Sequence, residues 1–367
     1  MNETTDTRPG PASAASAASA DTNTDTAAAR LAELALGHVL VTMIGLGHRI
    51  GLLDALAAGP ATADELAASA GADPRYVREW LGALVGGRIV EWTAGTGRYR
   101  FAPGYAGVLS GATAANAAPG AEMLTRLTAM VPEVADRFRD GDGIPAAAYA
   151  QRAGSSLGGS RRYLYDEQLV PGFLGAVPGL HDRLRAGAAV LDVGCGPGQV
   201  ARLIADAFPA SRVTGLDVVP EAIEQAEAAR GDRPNLDYRV GDAAALGEDG
   251  RYDVVLALDV VHDLGRPQEA LRGMRRALAP GGVLVMVDIA FSADLDEVAG
   301  SAGATQAFGV SVLHCLPISL HGGGAGLGAM WGREAAERML AETGFTDVRV
   351  YPSPRPQNAV YVAASDA

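Results

Sequence analysis

The feature that most constrains the fold of this chain is a short apolar run that meets three glycines at alternate positions. The run covers 190–193 and contains one acid, Asp192, and the glycines that follow it are Gly194, Gly196 and Gly198. This pattern predicts a buried parallel strand that ends in a tight turn and continues directly into a helix. Glycines let the turn take positive φ and approach a ligand closely, and the helix N-terminus behind it offers free N–H groups.

A second apolar strand is predicted over 212–216 and ends at Asp217. An acid in that position is placed to bind the hydroxyls of a ribose. The separation between Gly194 and Asp217 is close to the roughly 20 residues expected of a nucleotide-binding βαβ unit. The two strands and the helix between them, at about 199–208, therefore predict a nucleotide site.

The glycine spacing indicates which nucleotide is bound. A dinucleotide fingerprint reads G-x-G-x-x-G, whereas these glycines follow G-x-G-x-G, with an acid in the preceding strand. A carboxylate such as Asp192 suits the cationic amino-acid end of S-adenosylmethionine better than a pyrophosphate. The segment resembles motif I of class I S-adenosylmethionine-dependent methyltransferases, which implies S-adenosyl-L-methionine as the cofactor. The expected cofactor-binding residues are Asp192, Gly194, Gly196, Gly198, Asp217, Val218, Asp242, Ala243, Leu258 and Tyr165.

Asp242 has two possible uses. It follows the third predicted strand, 236–240, and precedes Ala243. Its carboxylate can reach the adenine amine of a nucleotide, or it can cap the next turn. Together with the glycine turn, the cofactor role is the favoured interpretation.

Composition excludes several classes of function. The chain has 367 residues, enough for two domains, and it contains no lysine, because all 30 basic residues are arginine. A Schiff-base lysine and a Walker A lysine are therefore excluded. A net charge of −13 disfavours nucleic acid and anionic membrane as partners.

Cysteine content and hydropathy point to the cytoplasm. The two cysteines, Cys195 and Cys315, indicate no disulfide framework. No apolar run reaches the roughly 18 residues of a membrane span, and residues 1–28 do not read as a secretory signal. A soluble cytoplasmic protein is the expectation.

The first third of the chain is expected to hold a small helical domain. Residues 1–28 are rich in Ala, Ser, Thr and Asp and predict a disordered tail, followed by a long bent helix and a short one ending near 56. Thr62 and Glu65 form a capping box, a further helix begins at Asp73-Pro74, and a hairpin follows. This order is typical of a winged helix-turn-helix.

The predicted winged helix is electrically neutral. Five Arg and five Asp or Glu lie between 62 and 102, whereas a DNA-reading module needs excess positive charge. A packing and dimerisation role is therefore favoured over DNA binding. The helices near 31–44 are expected to pack against a second copy in a homodimer, with part of the acceptor pocket supplied across the interface.

The remainder of the chain predicts a helical connector and an α/β domain. Strands and helices alternate from 187 onward, which indicates a Rossmann-like doubly wound sheet with an antiparallel last strand. The expected domains are a disordered tail at 1–28, a winged-helix dimerisation domain at 29–110, a helical connector with substrate-pocket helices at 111–186, and a cofactor-binding catalytic domain at 187–367. The predicted strands are 190–193, 213–216, 236–240, 254–258, 283–289, 348–350 and 360–362, and the predicted helices are 199–208, 221–230, 267–278 and 333–343.

A histidine and two carboxylates lie at or near the carboxyl ends of the fourth and fifth strands of this domain. His262 and Asp263 come after the fourth strand, and Asp288 lies in the fifth. With the winged helix and motif I, they resemble the winged-helix small-molecule methyltransferases, including plant-type and polyketide-type O-methyltransferases, and more closely a bacterial branch of uncharacterised methyltransferases. The resemblance covers about 30–365. It implies that His262 is the general base and that Asp288, or else Asp263, orients it. The chain departs from the family pattern at Leu264, where a tryptophan is expected.

The segment 313–331 is expected to cover the acceptor. His314, Met330 and Trp331 are predicted pocket residues, and His314 is an alternative base. His314, Cys315 and His321 lack a regular ligand spacing, so no metal is predicted.

The leading hypothesis is O-methylation of a small, aromatic or polyketide-like metabolite in secondary metabolism. A phenol with a pKa near 10 gains from a base such as histidine. Alternatives are N-, C- or S-methylation, a non-methylating reaction such as a pericyclic one, and a regulator in which the winged helix senses the cofactor.

Overall fold

The computed structural model describes residues 11–152, 161–247 and 249–365. The chain divides into two compact units after Ser110. The first unit contains five helices and a hairpin among its described residues. Their bounds are α1 Pro11–Arg49, α2 Leu52–Ala57, α3 Ala63–Ala70, α4 Pro74–Gly86, β1 Val90–Thr93, β2 Arg98–Phe101 and α5 Tyr105–Leu109.

Local signals in the sequence set the helix boundaries of the first unit. The Oγ1 of Thr62 accepts a hydrogen bond from the Glu65 amide, and the Glu65 carboxylate accepts one from the Thr62 amide, so the predicted capping box opens α3. Asp73 caps α4 by accepting from the Arg75 amide at 2.8 Å. The apolar faces of α2, α3 and α4 bury a shared core of Leu52, Leu53, Leu56, Leu66, Val77, Trp80, Leu81 and Leu84. The predicted winged helix is confirmed.

The first helix differs from the expectation. Residues 11–28, expected to belong to a disordered tail, form the start of α1, whereas 1–10 lie outside the described residues. The segment is rich in alanine, which has the highest intrinsic helix propensity. It also extends a helix that is already formed, so it avoids the cost of helix nucleation.

Most of the C-terminal half of α1 is exposed and apolar. Its exposed large side chains are Leu31, Leu34, Leu36, Val39 and Leu46. By length and composition alone, the part Asp25–Arg49 is long and apolar enough to cross a membrane, which the sequence analysis did not anticipate. Core helices of soluble proteins and signal sequences near an N-terminus pass the same test of length and composition.

The second unit begins with helices that precede the sheet. They are α6 Ala118–Leu127, α7 Val131–Asp140, α8 Ala146–Arg152, α9 Arg162–Gln168 and α10 Leu180–Ala186, with a 3-10 turn at Thr128–Met130 and a π turn at Leu169–Leu174. The sheet and the helices around it follow. They are β3 Ala189–Val193, α11 Gln199–Ala207, β4 Arg212–Asp217, α12 Pro220–Ala228, β5 Leu236–Val240, β6 Tyr252–Leu258, α13 Pro267–Ala277, β7 Leu278–Ile289, α14 Leu295–Val298, α15 Ala302–Leu313, α16 Cys315–Leu320, α17 Arg333–Glu342, β8 Phe345–Pro352 and β9 Asn358–Ser365.

The seven strands lie in the order β5-β4-β3-β6-β7-β9-β8. The pairs from β5 to β7 are parallel, and β9 runs antiparallel to both β7 and β8. The predicted doubly wound sheet with an antiparallel last strand is therefore confirmed. Side chains of β3 alternate between two apolar layers, since Val190 packs on one face and Leu191 and Val193 on the other.

After β3, the chain adds β4 and β5 on one side of this strand and then crosses over to add β6 and β7 on its other side. The carboxyl ends of β3 and β6 therefore flank the point where strand order reverses. In open α/β sheets ligands bind in the crevice at such a switch point.

Candidate active site

The glycine turn after β3 takes the backbone conformation that its sequence predicts. Gly194, Gly196 and Gly198 have φ of 69°, 52° and 77°, a region in which a side chain is disfavoured. A Cβ on Gly198 would lie 2.3 Å from the hydroxyl of Tyr238, and a Cβ on Gly194 would lie 2.3 Å from Cγ2 of Val260. Two of these positions therefore require glycine for space as well as for conformation.

Asp217 connects the end of β4 to this turn. Its Oδ2 accepts from the Gly196 amide at 2.8 Å, and its Oδ1 accepts from the Val219 amide at 2.9 Å. Burial raises the pKa of Asp217, although these amides oppose the rise. The adjacent Val218 is exposed. The carboxylate predicted to bind ribose thus lies directly at the turn.

Asp192 is buried in β3, with 2% of its surface exposed. Its Oδ2 is shielded from solvent and has no hydrogen-bond partner among the described residues. Burial, and then the nearby charge of Asp217, raise the pKa of Asp192 to about 7. A buried oxygen without a partner is costly, and a cationic amine of a ligand would satisfy it. The site therefore fits the amino-acid end of S-adenosylmethionine.

Asp242 acts as a cap. Its Oδ1 accepts from the Ala244 amide at 2.9 Å and so begins a 3-10 turn, Ala243–Ala245. Its Oδ2 accepts from Arg266 at 2.6 Å, and Ala243 is buried. Of the two uses that the sequence allows, capping is the one that the structure contains, and the adenine contact remains a prediction.

A buried carboxylate that the sequence analysis missed follows Leu258 at the end of β6. Asp259 has a φ of 54°, which is uncommon for a residue other than glycine. Its Oδ2 accepts from the Tyr165 hydroxyl and from Nη1 of Arg161, each at 2.8 Å, and its Oδ1 accepts from Asn358 at 2.7 Å. Burial favours a higher pKa, but Arg161, His262 and Arg355 bring the pKa of Asp259 below its ordinary value.

His262 and Asp288 form a buried pair. Nδ1 of His262 lies 2.7 Å from Oδ1 of Asp288, and Nε2 lies 3.4 Å from Oδ1 of Asp263. The Trp331 indole N–H also donates to Oδ1 of Asp288, at 3.4 Å. Burial alone would lower the pKa of His262, but Asp288 and then Asp263 raise it well above 6.5. With Nδ1 bound to Asp288, Nε2 faces Asp263, and Cys315 is a further side-chain partner of the ring.

The loop that carries His262 lies against the glycine turn. Val260, two residues before His262, makes the close approach to Gly194 described above, and Val193 of β3 pairs with Ala257 of β6. The residues predicted to bind the cofactor and those predicted to activate the acceptor therefore meet at one edge of the sheet.

The segment around α16 places His314 and Cys315 beside the pair. Cys315 Sγ lies 3.7 Å from Nδ1 of His314, and the His314 ring packs edge-on against Tyr149 with centroids 4.9 Å apart. Burial lowers the pKa of His314. Met330 and Trp331, the other predicted pocket residues, are buried.

A metal-ligating set also occurs here, and it differs from the one weighed in the sequence. Nε2 or Nδ1 of His262, a carboxylate oxygen of Asp263 and Sγ of Cys315 lie within 4.8 Å of one another. These residue types can ligate a metal, although the sequence analysis predicted no metal. A separate cavity of about 250 Å³ is lined by residues such as Arg183, Arg349 and Val362 and contains none of the predicted site residues.

Two family models match the chain. The model described as a methyltransferase domain covers 191–286, and the model described as an Rv2258c-like winged HTH domain covers 38–111. The chain thus contains both domains that the sequence analysis predicted, and the first match spans the strands from β3 to β7.

Curated relatives match over about a quarter of the chain. An uncharacterized 37.1 kDa protein in transposon TN4556 of Streptomyces fradiae is 39% identical over 104 residues, which is 28% of this chain and 30% of that protein. A trans-aconitate 2-methyltransferase of Streptomyces avermitilis is 36% identical over 100 residues, 26% of this chain and 37% of that protein. The chain therefore spans about a third of the length of these relatives.

Solved structures match over nearly the whole chain. Human N-acetylserotonin methyltransferase, in complex with S-adenosylmethionine, superposes with a TM-score of 0.66 at 18% identity and covers 93% of this chain and 98% of its own. An O-methyltransferase family protein from Burkholderia thailandensis gives 0.68 at 16% identity, with the same coverage. At these identities the likeness shows the fold, which is that of class I S-adenosylmethionine-dependent methyltransferases with an N-terminal winged helix.

Proposed function

Because the chain joins a winged HTH domain to a methyltransferase domain, we propose that it is an S-adenosylmethionine-dependent methyltransferase that methylates a hydroxyl group of a small molecule. The observation that carries this proposal is the His262–Asp288 pair, which lies at the same sheet edge as the glycine turn. A histidine held by a carboxylate is suited to remove a proton from a hydroxyl.

The residues at the glycine turn would hold the cofactor. The unpartnered Oδ2 of Asp192 binds the ammonium group, and Asp217, at the end of β4, binds the ribose hydroxyls. The amide of Gly196, released from Asp217, becomes a donor to the ligand. Bound there, S-adenosylmethionine supplies a methyl group on a sulfonium, which is electrophilic without further activation. The remaining predicted contacts are Gly194, Gly198, Val218, Asp242, Ala243, Leu258 and Tyr165.

His262 then acts on the acceptor. The bond from Nδ1 to Asp288 fixes the ring, so that Nε2 exchanges its contact with Asp263 for the acceptor hydroxyl and takes its proton. The oxygen must lie roughly 3 Å from the methyl carbon and in line with the breaking bond. His314, Met330 and Trp331 would cover the acceptor and exclude water. Asp263 is the alternative orienting group.

His314 is a second candidate for the base. Burial lowers its pKa, so its ring is neutral near pH 7 and able to accept a proton, whereas the pKa of His262 is raised. The firm bond from Asp288 to His262 is the reason that we favour His262.

The test of this function has two steps. Calorimetry with S-adenosylhomocysteine, the demethylated cofactor, is expected to give saturable binding, and its absence contradicts the proposal. Mass spectrometry after incubation with S-adenosylmethionine and candidate acceptors is expected to show a product heavier by one methylene, and NMR then assigns the methyl to O, N, C or S.

Other outcomes of the same test favour the alternatives. Cofactor binding with a product of unchanged mass would favour a non-methylating reaction. Salt-dependent binding of DNA by the cofactor-loaded protein would favour a regulator.

We further propose that the protein is a cytoplasmic homodimer that acts in secondary metabolism. The exposed apolar side chains of α1 support a dimer, because monomers rarely leave such a stripe uncovered. The net charge of −13 supports a partner other than nucleic acid.

A further inference from the structure

A second charged cluster lies at the same edge of the sheet, beside the pair just described. Its centre is Asp259, whose two oxygens accept from Tyr165, Arg161 and Asn358. The charge of Arg355 lowers the pKa of Asp259, and the charge of Arg161 lowers the pKa of Arg355, so both arginines lie near this carboxylate. Of these residues the sequence analysis singled out Tyr165 alone, as a contact of the cofactor and not as a partner of Asp259.

The cluster holds more positive than negative charge. Arg161 and Arg355 face the carboxylate of Asp259, which also accepts hydrogen bonds from Tyr165 and Asn358. Nη1 of Arg355 is shielded from solvent and finds no hydrogen-bond partner in the described part of the chain. A buried guanidinium nitrogen without an acceptor is costly, and an anion brought by a ligand would satisfy it.

The position of Arg355 in the fold indicates which molecule brings that anion. Arg355 lies just before β9, and its carbonyl accepts from the Asn358 amide at 2.9 Å. β9 pairs with β7, with Asn358 opposite Ile289 and the next residue opposite Asp288. The cofactor residues Asp192 and Asp217 lie on β3 and β4, on the other side of β6. Arg355 therefore lies on the far side of β6 from these two acids, while its cluster includes Tyr165, one of the predicted cofactor contacts.

We propose that the acceptor carries a carboxylate in addition to the group that is methylated, and that Arg355 binds this carboxylate. A planar guanidinium matches a carboxylate in shape and donates two parallel hydrogen bonds to it. Arg161 contributes positive charge while it stays paired with Asp259. This inference rests on the proposed function, since it concerns the acceptor of that reaction.

The test uses benzoate as the probe, with benzamide as its neutral counterpart of similar shape. Both are titrated calorimetrically into the wild-type protein saturated with S-adenosylhomocysteine. Benzoate is expected to bind about tenfold or more tightly than benzamide, and Arg355→Gln is expected to remove this preference. Arg355→Lys, which keeps the charge but not the fork, should retain part of it.

The matched control is Arg349→Gln, because Arg349 is an exposed arginine on β8 whose partner is Asp347. It should leave the preference for benzoate unchanged. The proposal is overturned if wild type binds both probes alike, or if Arg355→Gln still prefers benzoate.

A further arm separates the acceptor from the cofactor, whose amino-acid end also has a carboxylate. Affinities of Arg355→Gln for S-adenosylhomocysteine and for 5′-methylthioadenosine, which lacks that carboxylate, are compared with wild type. Unchanged affinities for both support the proposal and show that the variant is folded. Weaker binding of S-adenosylhomocysteine alone assigns Arg355 to the cofactor and overturns it. If wild type binds no S-adenosylhomocysteine, the proposed function itself fails.

Discussion

Protonation of the buried Asp192 carboxyl is expected to oppose the binding of a cation. Its pKa is raised to about 7 by burial and by Asp217, so acidification neutralises the group that would face the ligand's ammonium. Affinity for S-adenosylmethionine is therefore expected to rise by about tenfold between pH 5.5 and pH 7, because the ionised fraction increases over that range. Calorimetry across this range measures it. Asp192→Asn should bind weakly with little pH dependence, and an equally steep dependence in that variant would assign it to another group.

His262 is expected to contribute to turnover rather than to cofactor affinity. His262→Ala should lower turnover by about 10²–10⁴ while S-adenosylhomocysteine binds as before. His181→Ala is a matched control, since the His181 ring bonds to the Val170 carbonyl at 2.9 Å and lies outside the site. Full activity in His262→Ala combined with a loss in His314→Ala would assign the base to His314.

The partners of His262 also set the pH at which it can accept a proton. The base must be neutral, and Asp288 and Asp263 raise the pKa of His262 well above 6.5, so turnover should rise with pH through a value above 6.5. Asp288→Asn removes one cause of that rise, and the acidic limb of the pH–rate profile should move to lower pH as turnover falls. An unmoved limb would mean that another group is titrating.

Residue-level prediction placed the residues of chain-local motifs where the structure has them, and the roles of those residues stay predictions. The acids and glycines around β3 and β4 lie where the motif predicts, and Asp288 meets His262 as the family resemblance implies. Arg161, Asp259 and Arg355 could not be found in this way. They come from segments far apart in sequence, and only the fold shows that one carboxylate is shared by several donors.

At the level of single elements, the glycine turn is expected to tolerate alanine better at one of its positions than at another. Gly196→Ala meets no atom within 4 Å, whereas Gly198→Ala would press on the buried Tyr238 ring. Both incur the cost of positive φ, about 1–2 kcal/mol. Chemical denaturation should therefore show a larger loss in the free energy of unfolding for Gly198→Ala. Gly196→Ala should stay folded and lose cofactor affinity, and equal losses of stability would contradict the steric assignment.

Periodicity and turn residues accounted for the strands and for the winged helix, because both depend on local pattern. The expectation of disorder at the start of α1 was wrong. It gave more weight to the polar composition of the segment than to the high helix propensity of its alanines. The positive φ of Asp259 was equally invisible, as no local signal distinguishes it from an ordinary strand end.

For the molecule as a whole, the apolar face of α1 predicts self-association. Leu31 is 67% exposed and Leu34 is 52% exposed, one turn apart on the helix. Light scattering is expected to give about twice the chain mass of 37.5 kDa at micromolar concentration. Leu31→Glu combined with Leu34→Glu should shift the protein to the monomer mass.

Phe138→Glu is the control for this prediction, because Phe138 is 76% exposed on α7, outside the proposed interface. It should leave the mass unchanged. A wild-type species near 37.5 kDa would contradict the dimer.

The contact between the Trp331 indole and Asp288 has an optical consequence. The chain has three tryptophans, and the other two, Trp80 and Trp92, lie in the winged-helix unit. Trp331 is thus the single indole fluorophore of the methyltransferase unit, and it shares a carboxylate with His262. Its fluorescence emission should change when a bound acceptor alters the surroundings of that carboxylate. Acceptor binding can therefore be followed by intrinsic fluorescence, without a label and before any product has formed.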